Sequence, residues 1–341
     1  MINQVWLIPK KGKYIDVTNL VESIDWSGGK SRAPRTLSVK LLDTNRGLHE
    51  RAPVENGMGI VFRRDGSELF QGVIFTCDYS SGHVSVTAYD ELFYLAQNKD
   101  SYLFTGKKAS DIIRTLCTDF SIDKGEIKDT KHVIPYLLFD GDSLYDMVMK
   151  ALQITYKHTG QRYALFSREG KVHLIPRAEN IRKWVIESGV NLVDYSYARS
   201  VEGTVTRVKL ITGEEKKTIE VTEKNDGLIE KYGVLQHFEK VSEKLNRAQL
   251  QDRAKKILEK EGKEKKTFRL SNIPGIPDVV TGTAVFVVVP ELGVKQAYYI
   301  EEDSHSFAGR KHTMSLTLTE TDDITEVNAG KEEPEKKQDK A

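Results

Sequence analysis

Cysteine is nearly absent from this chain of 341 residues, and no long apolar run interrupts it. The two cysteines are Cys77 and Cys117, whereas a disulfide framework or a zinc site needs more thiols or a tighter spacing. Both lie in apolar patterns, which predicts buried and reduced thiols. No segment approaches the roughly 18 apolar residues of a membrane-spanning helix, so we expect no membrane insertion.

An excess of charge of either sign is also missing. Lys and Arg number 51 against 50 for Asp and Glu, a net charge of +1. Proteins that hold nucleic acid by electrostatics normally carry a strongly basic domain, so this balance argues against specific nucleic-acid binding. Basic residues follow the first apolar run of the chain instead of preceding it, the reverse of a secretory signal. We therefore expect the chain to fold in a cytoplasm.

The chain does have ample apolar residues, 39% of the total, which suffices for about two or three domains. In its first hundred residues, short segments with strand-like alternation follow one another, as in HVSVTAYD at 83–90. Asp65-Gly66 and Ser80-Ser81-Gly82 are turn sequences that join neighbouring strands as hairpins. Short strands at this spacing indicate a barrel or a sandwich, and we predict a β-barrel over residues 1–100.

Helical patterns replace the strand pattern at about residue 101. Apolar residues recur at helical spacing in 105–120 and again in 140–160, which predicts two amphipathic helices. Thr105 is the expected N-cap of the first helix, and Gly160 lies just past the end of the second. Two strands around the turn Glu169-Gly170 follow. Residues 101–185 are therefore a predicted α/β domain.

Strand patterns return after residue 185 and continue to about 323. A helix with apolar positions between Leu245 and Leu258 interrupts them. We predict a second β-barrel over 186–323 with an inserted helix at 244–262. Residues 324–341 are polar and cannot bury enough surface to offset chain entropy, so they are expected to be disordered. The predicted fold class is α+β, mostly β.

One predicted strand, Thr283 to Val289 in TAVFVVVPELG, has no polar face. Successive side chains of a strand point to opposite sides, yet both sides are apolar here. One side is expected to fill the barrel of its own domain. The other is covered either by the helix at 244–262 or by a neighbouring subunit, and both alternatives remain open. The residues of this strand that we predict at an assembly surface are Val285, Phe286, Val287 and Val288.

Catalytic and metal-binding patterns are not evident. TGKKAS at 105–110 lacks the first glycine and the hydroxyl residue of a phosphate-binding loop. Asp140, Asp142 and Asp146 lack the later glycine and glutamate of a calcium loop, so we expect Asp140 or Asp142 to cap the helix that begins near residue 143. We predict no catalytic residue, no cofactor and no metal site.

Two histidines near the end of the chain form the one metal-binding alternative. His305 and His312 lie on predicted strands that a turn connects, and they are expected to face each other across the hairpin. A surface or packing role is the other interpretation of the pair.

Extended patterns of the chain resemble a known family. They are FQGVIFTCDYSSGHVSVTAYDELFYLAQNKD, FTGKKASDIIRTLCTDFSI, DGDSLYDMVMKALQITYKHTGQRYALFSREGKVHLIPR, and GIPDVVTGTAVFVVVPELGVKQAYYIEEDSHSF followed by HTMSLTLT. In order and spacing they resemble the XkdQ/YqbQ-type tail proteins of PBSX-like prophages and phage-tail bacteriocins. They are more distantly similar to the hub proteins of contractile tails and to the late-control D family. The resemblance covers about residues 1–325.

The resemblance implies a structural role. It implies two tube-protein-like β-barrels with a small α/β domain between them. Three chains are expected to form a homotrimeric ring in a tail baseplate. The ring adapts the sixfold tail tube to the threefold spike. The implied partners are other copies of the chain, the tail tube protein, the central spike, and baseplate wedge or tape-measure proteins.

Two other functions remain as alternatives. A tail-associated cell-wall hydrolase would release fragments from peptidoglycan, which the hub interpretation does not predict. A nucleic-acid-binding protein built on small barrels would show binding that weakens steeply with salt.

Overall fold

Long antiparallel strands dominate the structure, a computed structural model that describes residues 2–30, 32–43, 53–177, 184–192, 194–213, 218–241, 245–321 and 327–332. Two compact units divide the chain. Among the described residues, the first unit comprises 2–196 and 268–332, and the second comprises 197–267. The mostly β fold predicted from the sequence is confirmed.

The described N-terminal segments form seven strands. They are β1 (Asn3–Ile8), β2 (Ile15–Asp16), β3 (Val21–Gly29), β4 (Arg32–Leu42), β5 (Gly59–Arg64), β6 (Ser67–Ser80) and β7 (His83–Tyr89). Alternate residues of β4, from Leu37 to Leu41, are fully buried in their common core. The predicted hairpin at Asp65-Gly66 is confirmed, with φ angles of 48° and 83° that suit a tight turn between β5 and β6.

The α/β part contains α1 (Leu92–Gln97), β8 (Lys99–Lys108), α2 (Ala109–Asp119), β9 (Lys124–Ile127), β10 (Val133–Ser143), α3 (Leu144–Thr159), β11 (Tyr163–Arg168) and β12 (Lys171–Pro176). Its own core includes Ile112, Leu116 and Val148, all fully buried. Gly160 ends α3 with a φ of 69°, as predicted. Thr105 is no helix cap. It lies inside β8 opposite Tyr136, because pairing with β10 keeps residues up to Lys108 extended.

The remaining strands of the first sheet are β13 (Trp184–Glu187), β14 (Asp194–Ser200), β18 (Lys265–Pro274), β19 (Ala284–Val289), β20 (Val294–Ala308) and β21 (Lys311–Thr319). Within the described residues, thirteen strands form one sheet in the order β14-β18-β21-β20-β3-β4-β7-β6-β5-β1-β2, with β19 on β20 and β13 on β19. The antiparallel pairing of β20 with β3 joins the late strands to the early ones.

The predicted domain boundaries therefore differ from the observed division. Strands at the beginning and the end of the predicted second barrel, 186–323, share a continuous sheet with strands of the predicted first barrel, 1–100. The reason is physical: strand pairing depends on edges that are distant in sequence, and alternation within β20 does not identify β3 as its partner. Closure of either group into a barrel stays a prediction.

The second unit lies between β14 and β18 in the chain. It contains β15 (Arg207–Thr212), β16 (Ile219–Lys224), α4 (Asp226–Tyr232), β17 (Gln236–Val241) and α5 (Arg247–Glu261). Asn246 and Gln249 form a capping box that begins α5.

The inserted helix predicted at 244–262 corresponds to α5, but it packs on a different strand than we expected. Leu250 and Ala254 of α5 are buried against Val208, Leu210 and Val221, so the helix covers β15 and β16 within the second unit. It was one of the two candidates to cover the strand Thr283–Val289. The helix instead packs on a separate small sheet. The alternation of its strands resembles that of the other strands in 186–323, so the sequence did not reveal that they form a separate sheet.

Part of the predicted disordered tail is ordered. Lys331 exchanges two backbone hydrogen bonds with Leu138 of β10, at 2.7 and 3.0 Å, and Ala329 is buried in the α/β core. Gly330 adopts a φ of 65°, and a Cβ there would lie 2.6 Å from the Phe139 ring. The expectation for 324–341 is thus wrong for residues 327–332, while the rest of that segment lies outside the described residues. Pairing with a strand edge supplies the stabilisation that local composition lacks.

None of the helices in the described part of the chain is both long and apolar enough to cross a membrane.

Candidate assembly surface

The strand with two apolar sides, β19, lies between a parallel and an antiparallel neighbour. β13 pairs with it in parallel, with Val185 opposite Phe286 and Glu187 opposite Val288. β20 pairs with it on the other side, with Ala297 opposite Phe286 and Lys295 opposite Val288. Because residues opposite each other in a sheet share a face, these pairs define which side chains lie together.

The inner face of β19 belongs to the core of the first unit. Val285 is 1% exposed, and Val287 and Val289 are 0% exposed. Tyr298, opposite Val285 on β20, is fully buried beside Phe268 with their ring centroids 5.8 Å apart. Val285 and Val287 were among the predicted assembly residues, and the structure places both in the interior.

The outer face of β19 has no such cover within the described residues. Phe286 and Val288 are half-buried, and Val185 beside Phe286 is 51% exposed. Exposed Ala297 completes the row on β20. We call Val185, Phe286, Val288 and Ala297 the apolar outer face. Val185 was not among the predicted residues, because its parallel pairing with Phe286 joins residues that are 101 positions apart in the chain.

Charged residues border this patch. Glu187 and Lys295 flank Val288 on either side, so the row has a polar residue at each end and an apolar residue in the middle. Such an arrangement, an apolar centre with a polar rim, is the usual composition of a protein–protein interface.

The edge of β13 is closed to further strand pairing. The Asn191 side chain accepts a hydrogen bond from the backbone N–H of Glu187 at 2.8 Å and donates one to the carbonyl of Val185 at 3.1 Å. An edge strand normally leaves such groups unpaired, and side chains that satisfy them prevent uncontrolled pairing. A neighbour would therefore contact the apolar outer face through side chains.

A buried polar cluster lies further along β20, formed by Arg35, Asp303, His305 and His312. Two nitrogens of the Arg35 guanidinium donate to the two carboxylate oxygens of Asp303, one of them at 3.0 Å. Thr281 donates its N–H and its hydroxyl to the same carboxylate, both at 2.6 Å. Burial opposes ionisation of Asp303, but Arg35 and His305 hold the pKa of this carboxyl well below its ordinary value.

The two histidines face each other across the β20–β21 hairpin, as predicted. His305 Nδ1 lies 3.0 Å from His312 Nε2. His305 Nε2 donates to the carbonyl of Val279 at 3.0 Å, because a carbonyl oxygen only accepts. In the neutral pair, His312 Nε2 then donates to His305 Nδ1. Burial, together with the nearby His305 and Arg64, lowers the pKa of His312 to about 3.

The carboxylate and both histidines of this cluster are buried. His305 is 0% exposed, and its ring packs at a tilt beside Trp26 with the ring centroids 5.1 Å apart. No group of three or more metal-binding side chains occurs among the residues that the structure describes. The cluster instead links β20 and β21 to β4, so it fixes the register where the late strands join the early ones.

Asp90 is a second buried acid near this junction. Its carboxylate accepts from the backbone N–H of Arg35 at 3.2 Å and of Leu92 at 3.1 Å, where α1 begins. Burial raises the pKa of Asp90 to about 7.

The three aspartates near residue 143 do not act as the sequence suggested. Ser143 itself caps α3, accepting from the Asp146 N–H at 3.1 Å and donating to the Asp146 carboxylate at 2.6 Å. Asp140 accepts from the Ser101 hydroxyl, and Asp142 accepts from the Gly330 N–H. Asp140 and Asp142 therefore stabilise neighbouring segments, and the prediction that one of them caps α3 is wrong.

Comparison with known proteins decides the family. A sequence profile described as YqbQ-like matches residues 24–319. The chain belongs to the YqbQ-like family. It is 40% identical to YqbQ of Bacillus subtilis strain 168 over 307 residues, which cover 89% of this chain and 94% of that protein. It is 36% identical to the phage-like element PBSX protein XkdQ of the same strain, over 90% of this chain and 94% of XkdQ.

Solved structures share the fold at low sequence identity. The 43 kDa tail protein of prophage MuSo2 from Shewanella oneidensis matches with a TM-score of 0.69 and 11% identity, over 93% of this chain and 98% of that one. A tail protein from Neisseria meningitidis MC58 matches with a TM-score of 0.63 and 15% identity, over 95% of this chain and 98% of that one. The Escherichia coli c3393 protein, a component of the type VI secretion system, matches with a TM-score of 0.52 and 10% identity, over 88% of this chain and 73% of that one. The YqbQ-like fold is therefore that of prophage tail proteins.

Proposed function

We propose that this protein is the structural hub of a phage-tail-type baseplate. Three copies form a ring that adapts the sixfold tail tube to the threefold central spike. The ring contacts tube subunits on one side, the spike on the other, and baseplate wedge or tape-measure proteins at its rim. The protein occupies the tail of a virion or tail-like particle.

The apolar outer face is the observation that carries this proposal. A chain with 30% charged residues exposes Val185 beside Phe286 and Val288 on one continuous sheet face, and Asn191 closes the adjacent edge. Contiguous apolar surface with a charged border is what a subunit contact requires. Obligate subunit interfaces bury more than about 2,000 Å² and are strongly apolar.

Relatives and structural neighbours support the placement in a tail. XkdQ belongs to the phage-like element PBSX, and two of the neighbours are prophage tail proteins. The c3393 protein is described as structurally similar to the bacteriophage T4 tail proteins gp27 and gp5, and further neighbours are chains of complexes of PdpA and VgrG.

The stoichiometry of the assembled complex tests the proposal. The chain is co-expressed with the spike protein from the same gene cluster, and the complex is weighed by native mass spectrometry. We expect three chains of this protein per trimeric spike. Any other ratio in a stable complex contradicts the adaptor role.

The proposed role includes no reaction. In the buried polar cluster, Asp303 is 3% exposed and His305 is 0% exposed, so neither side chain is open to a substrate. Incubation of the purified protein with peptidoglycan should release no soluble fragments. Released muropeptides, absent from a heat-inactivated control, would instead favour the hydrolase alternative.

A further inference from the structure

The small sheet of the second unit has one covered face and one open face. Val208, Leu210 and Val221 point towards α5 and are buried beneath it. Because side chains alternate along a strand, the intervening residues point to the opposite side. The pairing β16-β15-β17 places these residues in three rows of three. They are Lys224, Arg207 and Gln236, then Thr222, Lys209 and Phe238, then Glu220, Ile211 and Lys240.

We call these nine residues the basic sheet face. Four of them are cations and one is an acid, in a chain whose total charge is nearly balanced. Lys209 pairs with Glu220 at 2.8 Å, and Lys224 pairs with Asp226 at 2.9 Å. Arg207 and Lys240 have no ion-pair partner among the described residues, and Arg207 Nε is buried without a hydrogen-bond acceptor. The face therefore has positive charge that the described chain does not neutralise.

Apolar surface runs along β17 beside these cations. Phe238 is 50% exposed in the middle row, and Val234, two residues before β17, is 51% exposed. An exposed aromatic ring next to unpaired cations is costly to leave in water and is typical of a binding surface.

The edge of β17 is open, in contrast to the edge of β13. β17 pairs with β15 on one side, and no side chain in the described residues bonds to the backbone of 236–241 on the other. At β13 the Asn191 side chain occupies the equivalent groups. An unpaired edge is the structural requirement for binding an extended peptide by strand addition.

Details of the basic sheet face favour a protein over a nucleic acid. Single-stranded nucleic acid is held by several stacked aromatic rings, and this face has one, on an edge strand. A mixed surface of cations, one acid and apolar groups is instead complementary to an acidic polypeptide segment.

We propose that β17 and the basic sheet face bind an extended acidic segment of a partner protein. The segment adds as a strand beside β17, which satisfies the open backbone groups. Its side chains on the exposed side alternate so that an apolar residue lies beside Phe238 and an acidic residue lies beside Lys240. This binding site belongs to the second unit by itself and does not depend on the hub function.

A peptide with this pattern tests the proposal on the full-length protein. The probe is the fluorescent, acetylated octapeptide Val-Thr-Glu-Thr-Val-Thr-Glu-Thr, in which Val and Glu alternate along one side of the strand and Thr occupies the other. Two matched probes are the same peptide with Lys in place of Glu, and a single-stranded dT oligonucleotide of equal length. Fluorescence anisotropy should show saturable binding of the acidic probe that weakens as ionic strength rises, and no binding of the Lys probe.

Charge reversal locates the site. The double variant Arg207→Glu/Lys240→Glu should weaken binding of the acidic probe by about tenfold or more, which corresponds to about 1.4 kcal/mol per factor of ten. Phe238→Ser should also weaken it. Lys255→Glu on α5 changes an exposed cation away from this face and is the matched control, expected to leave binding unchanged.

Each other outcome overturns the proposal. Binding of dT as tight as that of the acidic peptide would assign the face to nucleic acid. Failure of the acidic probe to bind, or equal loss of affinity in Lys255→Glu, would show that the face is an ordinary solvated surface. Unchanged circular dichroism and thermal unfolding of every variant establish that lost binding does not reflect lost folding.

Discussion

The two faces of β19 consist of the same kinds of residue and have different environments. Val287 on the inner face is 0% exposed, while Val288 and Phe286 on the outer face remain half-buried. The inner face is covered by the core of the first unit, and the outer face has no cover among the described residues. Hydrophobicity thus identifies surface that must be buried, but not whether the chain itself or another molecule buries it.

The two faces also differ in the residues that extend them along β20. Along β20 the inner face leads from Tyr298 to Asp303 and His305, so an apolar core becomes a buried polar cluster. The outer face leads to exposed Lys295 and half-buried Tyr299. Stability should therefore depend strongly on residues of the inner side and weakly on those of the outer side.

The largest expected effect is that of Val287→Glu. A carboxylate at a fully buried position without a partner costs more than about 4 kcal/mol, enough to unfold a marginally stable unit. Circular dichroism and size-exclusion chromatography of the purified chain should show an unfolded or aggregated protein. A variant that melts like the wild type would mean that this face is not core.

Removal of the cation that pairs with buried Asp303 is expected to have the next largest effect. Arg35→Met leaves the Asp303 carboxylate buried without its charge partner, which should lower the free energy of unfolding by about 3 kcal/mol. Urea denaturation measures the change. Arg63→Met is the matched control, because Arg63 contacts Glu68 at 4.0 Å on the surface and should contribute less than about 1 kcal/mol. Equal losses from both variants would contradict the importance of the buried cluster.

The pH dependence of stability should reveal His312. Its folded pKa of about 3 lies below the ordinary value, so the unfolded state binds more protons between about pH 3 and 6.5. His312 therefore lowers stability as pH falls through this window. Replacing it with Asn, which retains a donor for His305, should reduce that loss. Urea midpoints measured from pH 4 to 8 provide the comparison.

Asp90 should make stability depend on pH in the opposite direction, so it serves as the control. Its folded pKa of about 7 lies above the ordinary value, so the folded state binds more protons and stability falls as pH rises from about 4 to 7. Asp90→Asn should remove that decline, while its amide oxygen can still accept from the Leu92 N–H where α1 begins. Identical pH profiles for the wild type and both variants would show that neither group titrates between the folded and unfolded states.

The smallest expected effect on folding is that of Val288→Glu. Its side chain lies on the apolar outer face, so the thermal midpoint of the isolated chain should change little, whereas incorporation into the hub–spike complex should fail. Co-purification with the spike, run beside wild type and Val288→Thr, measures incorporation. If Val288→Glu unfolds the isolated chain as Val287→Glu does, both faces of β19 belong to its own core.

Local patterns were sufficient wherever neighbouring residues decide the structure. The turn at Asp65-Gly66 and the end of α3 at Gly160 follow from backbone freedom at positive φ. The pairing of His305 with His312 follows from a short hairpin. Thr105 shows the limit: its segment has a helical pattern, but β10 pairs with it as a strand.

The sequence by itself determined the mostly β fold, the hairpins, the helix stripes and an apolar strand that needs cover on both sides. Only the tertiary structure decided that β20 pairs with β3, that α5 covers its own small sheet, and that Val185 lies beside Phe286. The physical reason is that alternation and helical spacing fix which side of an element is apolar. They leave open which distant edge or face meets it, because that choice depends on the summed packing and hydrogen bonding of segments far apart in the chain.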